Sequence, residues 1–235
     1  PSFETIVAYG PNGAIVHYRP SPRSTLELAP EGLVLVDSGA HYLDGTTDVT
    51  RTVALGQPTS MQKERFTRVL KGHIALASIR FPRGITGKQL DALARTHLWE
   101  VGLDYRHGTG HGIGCYLNVH EGPQSISPRD PGVPLQEGMF LTNEPGYYED
   151  GEYGIRIENV MMVEQARDSD SGYGPFLQFR TITMVPLDRR LICMDLLTAR
   201  ELAWVNQYHQ KVRETLSPIL EPQEASWLEE ATRPL

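Results

Sequence analysis

Residues 33–54 read LVLVDSGAHYLDGTTDVTRTVA, and the way this stretch alternates decides the fold class. Leu33, Val34, Leu35 and Val36 form a short apolar run, and the β-branched Thr46, Thr47, Val49, Thr50, Thr52 and Val53 follow Asp44-Gly45. Two such runs around an Asp-Gly pair predict a β-hairpin. With Asp44-Gly45 as a two-residue turn, cross-strand partners sum to an odd number. Asp37 and Asp48, eleven positions apart, then share one face of the sheet. In that register they are displaced diagonally by four residues, and a wider loop or a bulge is needed to bring them abreast. The competing reading of the pair is two solvated turn carboxylates.

Helical signals flank the hairpin. Thr59 precedes Gln62 by three, a capping-box spacing, and Phe66, Val69, Leu70, Ile74 and Ala77 recur at helical intervals, predicting a helix over 60–80. Thr86 with Gln89 repeats the device before Leu90, Leu93, Ala94, Leu98 and Val101, and Gly102 suits the residue just past a helix end. Thr198 with Glu201 opens a third helix through Leu202, Val205, His209, Val212 and Leu216, which Pro218 stops; it reads as the closing element. Between the second and third helices, 139–143, 155–164 and 176–186 read as strands. Without βαβ regularity, the class is α+β.

Composition narrows the function. A chain of 235 residues with 40% hydrophobic and 22% charged residues can bury a full core, and no stretch approaches the roughly 18 apolar residues of a membrane span. A net charge of −7 argues against nucleic acid or an anionic membrane as partner, because both require a basic surface. Cys115 and Cys193 are too few for a disulfide framework or a thiolate metal site, which fits a reducing compartment.

Residues 107–114, HGTGHGIG, place His107 and His111 four apart, as on the metal-binding helix of zincin proteases. Four glycines, each costing about 1 kcal/mol relative to Ala in a helix, exclude that geometry. They point instead to a tightly turning strand or loop in which glycine allows close approach to a ligand or positive φ. Glu144 and Glu158 lie among apolar and turn residues, where a carboxylate needs a partner. A bidentate contact with Arg156 is one solution and a metal ion is the other. Asp37, Asp48, His111, Glu144 and Glu158 together make an oxygen-rich donor set suited to manganese, cobalt or a similar divalent ion. Four carboxylates exceed the needs of one ion. Two ions would share them and make water a nucleophile near neutral pH, so hydrolysis is the natural reaction.

Three blocks, LVDSGAHYLDGTTDVTR (35–51), YRHGTGHGIGCYLNVHEG (105–122) and TNEPGYYEDGEYGIRIENV (142–160), resemble the metal-dependent family with the pita-bread fold, specifically the eukaryotic-type Xaa-Pro aminopeptidases (aminopeptidase P). GPNGAIVHYRP near the start and the WVNQYHQKVRETL helix extend the resemblance to the whole chain. It implies a curved antiparallel sheet with flanking helices. It also implies two divalent ions, manganese first and cobalt or zinc next, with Asp48 and Glu158 bridging both. Asp37 completes one site, and His111 with Glu144 the other. The same likeness assigns Glu144 a proton-shuttling role, His107 and His120 contacts to the peptide and its tetrahedral intermediate, and His17 a substrate-side place. Arg156 and Tyr148 would hold a ligand carboxylate from behind. The implied substrates are peptides with proline second, whose scissile bond offers no amide hydrogen.

By the same resemblance, 1–190 form the catalytic domain without its N-terminal portion and 191–235 a helical extension packed on it. The isolated chain is then expected to be poorly soluble or inactive. Homodimerisation is common in the family, and nothing in the sequence fixes the oligomeric state. Relatives include cytosolic and membrane-anchored forms; with no apolar tail after Leu228, a cytoplasmic location is expected. Prolidase and methionine aminopeptidase share the ligand set. A non-catalytic peptide-binding member or metal-free creatinase-like hydrolysis would require lost ligands, and none is lost.

Overall fold

The computed structural model describes residues 1–166 and 172–235. It begins with β1 (Ile6–Tyr9), β2 (Leu33–Ser38), β3 (His41–Tyr42), β4 (Gly45–Thr46) and β5 (Val49–Ala54). Helix α1 (Ser60–Ala77), β6 (Arg80–Pro82), α2 (Gly87–Trp99), and the short β7 (Gly110–His111) and β8 (Ser125–Ile126) follow. Then come β9 (Phe140–Asn143), β10 (Gly146–Glu149), β11 (Tyr153–Arg156), β12 (Asn159–Gln165) and β13 (Phe176–Thr181), and finally α3 (Ala199–Leu216) and α4 (Pro222–Ala231). The strand pairs are antiparallel, as an α+β chain requires.

The hairpin forms, but it turns one residue early. Tyr42 pairs with Gly45, so Leu43 and Asp44 occupy the turn. Asp37 then pairs with Thr50, and Asp48 lies two residues along the strand from that partner instead of four. A tertiary contact selects this register: the Thr46 hydroxyl and His41 Nε2 both bond the Leu117 carbonyl oxygen, at 2.9 and 2.8 Å. The two aspartates keep a common face, because an odd register is preserved.

The three predicted helices appear, each opened by its threonine capping box. Gly102 takes φ 74°, and Leu103 N–H bonds the Leu98 carbonyl behind it. Helix α3 is not the closing element, because α4 follows it. Pro222 stands in the first turn of α4, and Glu224 accepts from Glu221 N–H at 3.1 Å, a cap built from a residue type that rarely serves as one.

The predicted strand 155–164 is broken at Ile157-Glu158. Ile157 N–H bonds Pro145 O, and Glu158 N–H leaves its own sheet to bond Thr50 O in β5 at 3.1 Å. The curved sheet is therefore carried as two ladders, β1-β2-β5 and β6-β13-β12-β9, joined at Glu158. Strand β13 stops at Thr181, short of the expected 186, because the Val185 and Pro186 carbonyls turn to accept from Arg51. One core cluster lies under α3, β10 and β11, and another between α1, α2 and the four-stranded sheet. Helices α1 and α2 meet backbone to backbone, since a Cβ at Gly72 would stand 2.0 Å from the Ala94 carbonyl oxygen.

Candidate metal centre

All five expected ligands sit where strands end or break. Asp37 is near the end of β2, Asp48 just before β5, His111 in β7, Glu144 just after β9, and Glu158 between β11 and β12. Such positions free side chains from the in-out alternation of a ladder and let them converge. They line one cavity of about 770 Å³. His111 Nε2 lies 3.5 Å from both Asp48 Oδ2 and Glu144 Oε1. One donor atom from each of Asp48, His111 and Glu158 falls within 4.8 Å of the others.

The glycine tract brings His111 here by close packing alone. None of Gly108, Gly110, Gly112 and Gly114 has positive φ, so that half of the expectation is corrected. A Cβ at Gly110 would stand 2.0 Å from Thr142 O, and one at Gly112 2.0 Å from Glu121 O. Removing Cβ therefore lets β7 lie on β9 and its neighbouring turn, with backbone rather than a ligand as what approaches. His111 Nδ1 faces the Gly112 carbonyl at 3.0 Å, an acceptor only, so Nδ1 carries a proton and Nε2 is the nitrogen that faces the carboxylates.

Arg156, 2% exposed, organises the opposite side. Nη2 donates to Asp37 Oδ2 at 2.7 Å, Nη1 to Tyr148 Oη at 3.0 Å, and Nε to Thr50 Oγ1 at 3.2 Å. Thr50 in turn donates to Glu158 Oε2 at 2.6 Å. The bidentate pair with Glu144 or Glu158 does not form; the carboxylate that Arg156 meets is Asp37. Thr142 Oγ1 accepts from His111 N–H and donates to Glu144 Oε1. Sequence reasoning missed both threonines as site residues, although Thr50, two positions after Asp48, was legible as sharing its face.

This donor set fits divalent cations. Asp37 Oδ1 is buried with no hydrogen-bond partner, a costly arrangement that a cation would relieve. Burial, reinforced by Asp48, Glu144 and Asp37, pushes Glu158 well above the usual carboxylate range. Burial also lifts Glu144 to about 7 against the pull of His111 and Arg156, and raises Asp37 despite Arg156. Burial acts to lower His111, but the Asp48 hydrogen bond and Glu144 outweigh it and hold the imidazole above its ordinary value. So much clustered negative charge calls for positive charge between the carboxylates.

Three more histidines border the cavity. His107 Nδ1 faces Gly108 O at 2.7 Å and Nε2 faces Tyr148 Oη at 2.8 Å, so the neutral ring donates to the first and accepts from the second. Burial first, then Arg156 and Arg95, bring His107 down to about 4. His120 stands edge-on to His111, ring centroids 4.2 Å apart, and is lowered by burial and by that neighbour. His17 is exposed on the same cavity wall.

Residues 1–165 match the profile of metallopeptidase family M24, and residues 175–235 match that of the C-terminal region of the same peptidase family. The chain is 51% identical over 240 residues to aminopeptidase P1 of Arabidopsis thaliana and 49% identical over 240 residues to Xaa-Pro aminopeptidase 1 of Dictyostelium discoideum. All of this chain is covered, but only 37% and 38% of those proteins, so it spans little more than a third of the curated relatives it matches. An X-prolyl aminopeptidase from Caenorhabditis elegans, described as a cytosolic enzyme with a di-nuclear active site, superposes with a TM-score of 0.94 at 45% identity, over 99% of this chain and 38% of that one. A prolidase from Pyrococcus furiosus gives 0.62 at 36% identity, over 69% of this chain and 46% of that one.

Proposed function

Because the chain belongs to metallopeptidase family M24, we propose that its site hydrolyses the bond before a proline in second position, releasing the N-terminal residue of a peptide. The observation that carries this is the convergence of Asp37, Asp48, His111, Glu144 and Glu158 in one cavity. The name aminopeptidase P, shared by relatives about half identical to this chain, supports the preference for proline.

In this reading Asp48 and Glu158 would hold both of two divalent ions, Asp37 would complete one site, and His111 with Glu144 would complete the other; manganese suits the hard donor set, with cobalt or zinc as alternatives. When bound, the ions supply Lewis acidity and make water a nucleophile near neutral pH. Glu144 would carry a proton from the attacking water to the leaving nitrogen. His107 and His120 hold the peptide and the oxygen that gains charge, and His17 contacts the substrate from the outer wall. Arg156 and Tyr148 fix the ligand carboxylates and the His107 ring. Phe3, Ile6 and Val16 give the cavity an apolar stretch for a proline ring, which is recognised by shape because it lacks an amide donor.

We read 1–190 as the catalytic domain and 191–235 as a helical extension on it. The Tyr208 hydroxyl of α3, 2.9 Å from Arg51 Nη2, supports that packing. No helix among the described residues is long and apolar enough to cross a membrane, and a cytoplasmic location is adopted by analogy with the Caenorhabditis elegans protein.

The full-length protein, with its metal content measured, should release the first residue of an Xaa-Pro-Xaa tripeptide and lose this activity to a chelator. Glu144→Ala should reduce kcat by about 10²–10⁴-fold. Faster cleavage of the matching Xaa-Pro dipeptide would move the assignment to prolidase, and a protein with neither metal nor turnover would end it.

A further inference from the structure

The loop that presents His107 takes its shape from α2 and not from a sheet. Residues 103–109 belong to no strand, so their carbonyls have no ladder partners. Helix α2 delivers Asp91 and Arg95 one turn apart on one face, 4% and 3% exposed. Arg95 forks onto Asp91 at 2.7 and 3.1 Å. Its remaining donors go to Tyr105 O and His107 O, each at 2.7 Å, and to Asp104 Oδ1 at 2.9 Å. The guanidinium lies 4.0 Å above the centre of the Tyr105 ring. Asp91 Oδ1 accepts the Thr109 hydroxyl at 2.7 Å, and Thr109 Oγ1 stands 2.5 Å from Tyr105 Oη. Thr109 O then accepts Glu144 N–H at 2.7 Å.

We propose that Asp91 and Arg95 are positioning residues for the reaction, setting the His107 ring through the segment that Arg95 and Thr109 hold. Had the pair served only to stabilise the fold, the Asp91–Arg95 fork would suffice, and apolar residues could replace it at little cost. Here the donors grip the carbonyl of His107 itself and that of Tyr105. The His107 ring leans on Tyr105, with centroids 4.9 Å apart, and its Nδ1 bonds Gly108 O. Two of the contacts that orient the ring therefore come from the segment Arg95 holds, and a displaced loop turns the ring away from Tyr148 and the cavity. This inference rests on the hydrolytic reading above.

The test compares wild-type holoenzyme with Arg95→Lys, which keeps the charge but loses the planar fork, and with Thr109→Val, which keeps the shape but loses the hydroxyl. With metal content unchanged, both should lower kcat on an Xaa-Pro-Xaa tripeptide by about 10- to 100-fold while KM moves by less than about threefold. In a His107→Ala background the same changes should alter kcat by less than about twofold, because the two sites act through one ring. An equal loss in both backgrounds, or no loss in either, overturns the proposal. If Arg95→Lys fails to fold, Thr109→Val carries the comparison. A wild-type holoenzyme that does not cleave the tripeptide refutes the hydrolytic reading. The imidazole Nδ1–H resonance, assigned by its absence in His107→Ala, then decides the positioning role alone: it should shift in both variants, and an unmoved resonance overturns the role.

Discussion

A single hydroxyl links the two sides of the candidate metal centre. Thr50 Oγ1 accepts from Arg156 Nε and donates to Glu158 Oε2, so the guanidinium that pairs with Asp37 also orients the carboxylate at the break between β11 and β12. Thr50→Val keeps the volume but strips Glu158 of this donor and leaves Arg156 Nε without its acceptor. Groups behind a metal ligand typically govern about 10–100-fold in affinity. Thr50→Val should therefore weaken metal binding by that factor in competition with a chromophoric chelator; an unchanged affinity would show that Glu158 needs no such support. At this scale much was legible in the sequence. The parity of the hairpin put Asp37 and Asp48 on one face, and residue types alone marked the five side chains that converge in the cavity. The partner of Arg156 was not legible. Which of three nearby carboxylates it meets depends on how far apart two strands stand 119 positions apart in the chain.

Elements follow local chemistry wherever local chemistry is strong. The Thr59, Thr86 and Thr198 capping boxes each began a helix where their spacing predicted one. Helix α4 escaped because its cap is Glu221 and because Pro218 reads as a final stop. The break at Ile157-Glu158 escaped because an apolar alternation runs through it, and only Thr50 O, arriving from β5, draws the Glu158 N–H out of line. The α1–α2 contact offers a test in which two effects compete. Gly72→Ala should gain about 1 kcal/mol in helix propensity. Its Cβ would meet the Ala94 carbonyl oxygen at 2.0 Å, a backbone atom that cannot rotate away, and overpacking costs about 1–3 kcal/mol. Net destabilisation is expected in urea unfolding, and a variant more stable than wild type would mean the helices separate freely.

Across the whole molecule, α3 and the break that carries Glu158 are tied by a buried polar network centred on Arg51. Its guanidinium donates to the Thr50, Glu158, Val185 and Pro186 carbonyls, to Asn159 Oδ1 and to Tyr208 Oη. Two fully buried histidines border it. Burial first, and then Arg51, bring His73 to about 3; burial, then Arg189 and Arg51, bring His209 to about 4. Both rings accept hydrogen bonds at Nε2, from the Asn159 amide and from Leu187 N–H, so protonation there breaks a contact. Because the folded values lie below the ordinary 6.5, unfolding takes up protons below that pH. Stability from these two groups is complete above 6.5 and falls as pH drops toward the folded values, by about 1.4 kcal/mol per pH unit for each. In urea unfolding between pH 7 and pH 4.5, His209→Asn should lose less stability than the wild type as pH falls; an identical pH dependence in the variant would exclude His209 as a source. The sequence by itself determined the α+β class, three helices with their starts and the shared face of the two aspartates, because these depend on spacing within a few turns or one hairpin. Only the tertiary structure decided the hairpin register, the division of the sheet at Glu158, the pairing of Arg156 with Asp37 and the hold of α2 on His107. Each of those is a choice among nearly equal hydrogen-bond partners, made by distant chain segments that come together only in the folded molecule.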